Sequence, residues 1–106
     1  MSEVKVSVTF RHTQPTDALK QYAEEKVHKI GKHFPKNLQA HVILSVESKA
    51  RQLAEVTLQT TNGVTINGKE QTSDLYSAID LVMDKIERQV QKQKEKFKVR
   101  RRRTVA

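Results

Sequence analysis

The chain has no cysteine and no tryptophan, and its 106 residues include only three glycines, two prolines, three phenylalanines and two tyrosines. Without cysteine there is neither a disulfide framework nor a thiolate metal site, a composition that fits a reducing compartment. The glycines form no phosphate-cradling loop, and no nucleophile, base and orienting group stand at a recognisable spacing, so enzyme activity is not expected. No apolar run approaches the roughly 18 residues of a membrane span. The N-terminus, MSEVKVSVTF, alternates polar and apolar residues instead of forming the continuous apolar stretch of a signal peptide. A cytoplasmic protein is the expectation. With 36% apolar and 30% charged residues the chain is polar without being disordered in composition, and its length suits one domain with one core.

What the chain has in excess is positive charge, and it has it in one place. Residues 1–84 hold ten basic and ten acidic side chains, whereas residues 85–103 hold ten Lys or Arg against Glu87 and Glu95, so the whole formal charge of +8 sits in one stretch. That stretch overlaps a predicted helix over residues 73–98. Leu75, Ile79, Val82, Ile86, Val90 and Phe97 recur at three-, four- and seven-residue intervals, with Met83 beside them, and so share one face that should pack on a core. Lys85, Arg88, Lys92 and Lys96 fall on a second, outward stripe roughly 120° away. Asp80, Asp84 and Glu87 occupy the remaining flank, and the four-residue steps from Asp80 to Asp84 to Arg88 predict local charge pairing. A lysine-rich helix is often no more than a solvated surface. Here the segregation of charge, an isoelectric point near 9.9 and the run Arg100, Arg101, Arg102 and Arg103 favour a polyanionic partner, because clustered cations attract phosphates and release their counterions.

Upstream, Val4, Val6, Val8 and Phe10 alternate with Lys5, Ser7, Thr9 and Arg11, the period of a strand with one buried face. Pro15, Thr16 and Asp17 then break the strand and open a helix, with Thr16 as N-cap, Leu19, Tyr22, Ala23, Val27, Ile30 and Phe34 as core face, a weak last turn at Gly31 and a stop at Pro35. Lys26, Lys29 and Lys32 project from it, partly offset by Glu24 and Glu25. Ala40, Val42, Leu44 and Val46 give a second strand and Ala54, Val56, Leu58 and Thr60 a third, joined by the turn Ser48-Lys49-Ala50-Arg51. Thr61-Asn62-Gly63 makes a hairpin to a short fourth strand beginning at Val64 and Ile66, which Asn67-Gly68 should end. The fold class is therefore α+β, a β-α-β-β-β-α two-layer sandwich: a four-stranded sheet, strand one returning by a right-handed crossover, with both helices on one face. The other face, with Lys5, Ser7, Thr9, His41, Ser45, Glu55, Thr57, Gln59 and Thr65, should remain wet.

This order of elements, the helix start Thr16-Asp17-Ala18-Leu19, the hairpin Thr61-Asn62-Gly63-Val64, and above all Asp74-Leu75-Tyr76-Ser77-Ala78-Ile79-Asp80 followed by Asp84-Lys85-Ile86-Glu87-Arg88-Gln89, resemble the ribosome hibernation-promoting factors over about residues 3 to 98. The resemblance implies a fold like a double-stranded-RNA-binding domain. It also implies binding to the small ribosomal subunit between head and body, in the channel of messenger and transfer RNA, silencing idle ribosomes in stressed or stationary-phase cells. The family's basic positions match Lys85, Arg88 and Lys92 on the second helix and Lys26 and Lys29 on the first. The family's long form adds a C-terminal dimerisation domain and its paralogue, ribosome-associated inhibitor A, a longer tail with an acidic end. The resemblance therefore points to the short form, expected to be monomeric when free and to pair ribosomes only with a second small factor, the ribosome modulation factor.

The body is expected over residues 1–98 and a basic, disordered tail over 99–106, because four consecutive arginines repel one another. Other chemistry is thin: His12, His28, His33 and His41 lack the spacing of a helical metal pair, and no cofactor is expected. Asp80 and Asp84 could hold a cation, but helix-dipole and intrahelical pairing account for them more simply. Tyr22 and Tyr76 lie beside the apolar stripes, where core packing with the hydroxyl at the rim is the commoner role and stacking on a base the alternative. A basic amphipathic helix can also bind anionic membrane, but this one has its apolar face committed to the sheet. General binding to double-stranded RNA is the closer alternative.

Overall fold

The computed structural model describes residues 4–32, 37–60 and 63–105, and in the last segment side chains as far as Lys92. Its elements run β1 (Val4–Arg11), α1 (Asp17–Gly31), β2 (Leu38–Ser48), β3 (Arg51–Thr60), β4 (Thr65–Thr72) and α2 (Leu75–Val105), the predicted β-α-β-β-β-α order. The sheet order is β1-β2-β3-β4. β1 lies parallel to β2, in register from Val4 opposite Leu38 to Arg11 opposite Ser45, and a parallel neighbour requires the crossover that α1 supplies. β2, β3 and β4 form an antiparallel meander. Its first hairpin closes on the pair Ser48 and Arg51 after an irregularity beside Val46. In its second the Thr60 N–H donates to the Val64 carbonyl at 3.0 Å and Gly63 takes a φ of +83°, where a side chain is disfavoured.

The fourth strand is longer than the sequence suggested. Asn67 and Gly68 do not end it; β4 continues to Thr72, with Gly68 opposite Val56. Gly68 serves a close approach instead of a turn, since a Cβ there would stand 3.3 Å from Ile86 Cδ1 and 3.5 Å from Val82 Cγ2. Gly31 differs in the same way. It is buried at the end of α1, and a Cβ on it would meet Val4 Cγ2 at 2.7 Å, so its small size lets the helix end settle against β1. Phe34 and Pro35 lie outside the described residues.

Both helices begin on side-chain caps, which satisfy amides that the first turn leaves without partners. Thr16 Oγ1 accepts from the Leu19 amide at 3.2 Å. Asp74 Oδ2 accepts from the Ser77 amide at 3.0 Å, and Gln52 Oε1, reaching over from β3, accepts from the Leu75 amide at 3.0 Å. The core lies between sheet and helices. Leu19, Ala23, Val27 and Ile30 come from α1, Leu38, Ala40, Val42, Leu44, Ala54, Val56, Leu58 and Ile66 from the sheet, and Leu75, Ala78, Ile79, Val82, Met83, Ile86 and Val90 from α2. Burying each of the larger aliphatic side chains contributes about 1.5–3 kcal/mol relative to leaving it exposed.

On the far face of the sheet Lys5, Ser7, His41, Gln59 and Thr65 are exposed, while Thr9, Glu55 and Thr57 are half-buried. Ser45 departs from the expected wet face: it is buried, flanked in register by Arg11 and Leu53, and its hydroxyl donates to Glu47 Oε1 at 3.2 Å. The backbone of α2 runs from Leu75 through the arginine run to Val105. Arginine is a good helix former, and adding a residue to an existing helix costs far less than nucleating one. Among the described residues no helix is long and apolar enough to cross a membrane.

Candidate nucleic-acid interface

Burial of Val82, Ile86 and Val90 against the sheet fixes how α2 is rotated, and that rotation decides where its cations point. Lys85, Arg88 and Lys92 are all exposed, and Lys85 lies on the flank of α2 that adjoins β4. The Lys85 stem passes Gly68, its Cδ lying 3.6 Å from where a Cβ would be, and its ammonium stands 3.9 Å from Glu70 Oε1. A pair so exposed and so long is worth little and leaves the ammonium available. Lys96, Arg100, Arg101, Arg102 and Arg103 continue on the same helix, with side chains outside the described residues.

Lys26 and Lys29 stand on the opposite flank of α2, across a shallow cleft whose far wall carries Asp80, Asp84 and Glu87. The expected cations therefore form two groups with a row of carboxylates between them. Asp80 was expected to pair along its own helix; its partners are instead on α1. The Tyr22 hydroxyl donates to Asp80 Oδ1 at 2.5 Å, the Lys26 ammonium stands 3.5 Å from the same oxygen, and it also lies 5.3 Å from the centroid of the Tyr22 ring. Tyr22 in turn packs edge-on against Tyr76, ring centroids 5.1 Å apart, so the hydroxyl-at-the-rim reading of Tyr22 holds. The hydrogen bond to Asp80, then burial and the Asp80 charge, push the Tyr22 phenol up from 10.0 to about 12.

Sequence reasoning missed this clasp, because Tyr22 and Asp80 are 58 residues apart. One signal was present: Tyr22 and Lys26 are four residues apart on one helix and Tyr76 and Asp80 four apart on the other, two matched pairs on facing surfaces. His28 and His41 are exposed, and His12, also exposed, takes a φ of +59° just after β1. Among the described residues no group of three or more His, Cys, Asp or Glu side chains is gathered to hold a metal ion.

Residues 6–98 match the sequence model of the family described as Sigma 54 modulation protein / S30EA ribosomal protein. The chain belongs to that family. It is 38% identical over 93 residues to a ribosome hibernation promoting factor of Azotobacter vinelandii, covering 88% of this chain and 85% of that protein. A ribosome hibernation promotion factor of Staphylococcus aureus is 42% identical over 81 residues, which are 74% of this chain but 42% of that longer relative. Among solved structures, the N-terminal domain of Thermus thermophilus Protein Y superposes with a TM-score of 0.74 at 28% identity, covering 83% of this chain and 97% of that one. A ribosomal subunit interface protein from Coxiella burnetii gives 0.73 at 26% identity, covering 90% of this chain and 99% of that one. The S30EA match runs from β1 into α2, and both solved structures share the four-stranded sheet with two helices.

Proposed function

We propose that this S30EA-family chain is a ribosome hibernation factor. It binds the small ribosomal subunit through phosphates of the rRNA, occupies the channel used by messenger and transfer RNA, and inhibits translation by exclusion, without catalysis. The observation that carries this reading is the exposed row Lys85, Arg88 and Lys92 on a helix whose other face is locked in the core, in a chain whose relatives bear hibernation-factor names. Folded RNA offers phosphates and shape more than base edges, which suits a rigid cationic surface. We assign Lys96 and the arginines 100–103, further along the sequence of α2, to the same contact with phosphates, and Lys26 and Lys29 to a second, smaller group.

Binding of the purified chain to small subunits across a salt series, alongside translation in vitro, tests the proposal. Saturable, strongly salt-dependent binding and inhibition that transfer RNA relieves are expected. No binding at low salt would sink it. Ready displacement from ribosomes by excess duplex RNA would favour a general double-stranded-RNA binder instead. Sucrose gradients address pairing, for which the proposal requires a second small factor. Abundant paired ribosomes with this chain alone would remove that requirement, and none even with the factor would favour the paralogous inhibitor that silences single ribosomes.

A further inference from the structure

The two cation groups are unequal in their surroundings, and the inequality has a chemical consequence. Among the described residues Lys85 pairs with Glu70 only at 3.9 Å, whereas the Lys26 ammonium is committed twice, to Asp80 Oδ1 at 3.5 Å and to the Tyr22 ring. Asp80 is itself held by the Tyr22 hydroxyl, so the carboxylate cannot swing away without giving up that hydrogen bond. Asp84 lines the same cleft one turn further along α2. A phosphate approaching Lys26 therefore meets a fixed negative charge within an ion-pair distance of its intended partner. It must displace that carboxylate or share the ammonium with it.

Building on the phosphate-binding reading above, we propose that Asp80 is a specificity-determining residue of the interface: it holds Lys26 back from phosphate and so weakens binding to polyanions in general. Specificity is a difference of affinities, and a fixed repulsive charge raises it by penalising ligands that reach the α1 cations without making the contacts on the β4 side of α2. Tyr22 acts through Asp80, as the residue that aims it. The raised phenol of Tyr22 fits this arrangement, since a hydroxyl that keeps its proton remains a donor to the carboxylate across the physiological range.

The experiment is a double-mutant cycle on the intact chain, with Asp80→Asn, Lys26→Ala and the pair, measured against two probes: inorganic polyphosphate and purified small ribosomal subunits. Asparagine keeps an oxygen for the Tyr22 hydroxyl and removes only the charge, and equal melting temperatures verify that the fold is kept. Asp80→Asn should tighten polyphosphate binding about two- to fivefold, as expected for one exposed charge at this distance. That gain should largely disappear in the Lys26→Ala background, and Lys26→Ala alone should weaken binding less than it does alongside Asp80→Asn. The gain should also be larger for polyphosphate than for subunits. No gain from Asp80→Asn, or the same gain with and without Lys26, overturns the proposal, as does an equal or larger gain on subunits. If the cycle holds on polyphosphate while wild-type chain and variants alike ignore subunits, the ribosomal reading falls, the carboxylate's hold on Lys26 stands, and its role in ribosomal specificity falls with the reading.

Discussion

The first four turns of α2 and the remainder of the helix are built on different principles. Between Leu75 and Val90 seven apolar side chains are buried, among them Ile79, Val82 and Ile86 with no exposure at all. Between Gln91 and Arg103 the sequence has eight Lys or Arg, one Glu and no comparable stripe. The first part is helical because the sheet rewards one face of it; the second is helical by continuation and by the propensity of its lysines, glutamines and arginines. The difference teaches that the direction of the cations is inherited. Arg88 and Lys92 point outward because Ile86 and Val90 point inward.

Variants that act on one part and spare the other sharpen this contrast. The largest effect is expected from Ile86→Ala, which leaves a cavity over β4 and should cost about 2–5 kcal/mol of stability. Chemical denaturation measures it, and a loss well under 1 kcal/mol would mean that the first part is not anchored as described. Next, Gly31→Ala should destabilise by about 1–3 kcal/mol, because its Cβ would fall 2.7 Å from Val4 Cγ2. Unchanged melting would show that β1 gives way freely there. Replacing Lys85, Arg88 and Lys92 together by alanine should leave melting nearly as it was and reduce the salt slope of subunit binding by about two to three units. A slope that does not move removes these residues from the interface. Deleting residues 99–106 is expected to weaken binding with no appreciable change in melting temperature; a large drop would place the arginine run in the fold's packing.

The smallest effect concerns pH. The Tyr22 phenol is raised from 10.0 to about 12 by its bond to Asp80, so the folded chain holds that proton more tightly than the unfolded one. The stabilisation is complete below pH 10 and is lost as pH climbs through 12. With only two tyrosines in the chain, phenolate absorbance resolves the step, and Asp80→Asn should bring it down towards the ordinary value.

Much of the fold was legible because period and burial largely agree: the alternating apolar positions of β2 and β3 up to Leu44 and Leu58, and the stripe of α2 from Leu75 to Val90, are buried, while those of the edge strand β1 pack against the core half-buried. The signals that misled were glycines. Asn67-Gly68 has turn chemistry, yet Gly68 stands where a helix crosses a strand, and Gly31 likewise marks contact with Val4 where a frayed turn was expected. Such approaches depend on which elements meet, which local sequence does not encode. The candidate site was half legible. The outward row followed from the helical repeat, but the pairing of Lys26 with Asp80 arises only when two helices distant in sequence are laid side by side on the same sheet.

The dependence of cation direction on core packing makes folding and competence a single event. β3 and β4 have no cover for Val56, Leu58 and Ile66 until α2 docks, and α2 has no fixed rotation until it does so. A partly folded chain thus carries the charge but displays no ordered row of it, and the active fraction of any preparation equals its native fraction. Quality control is in this sense intrinsic: a molecule that fails to close its core also fails to present the surface with which it would occupy a partner.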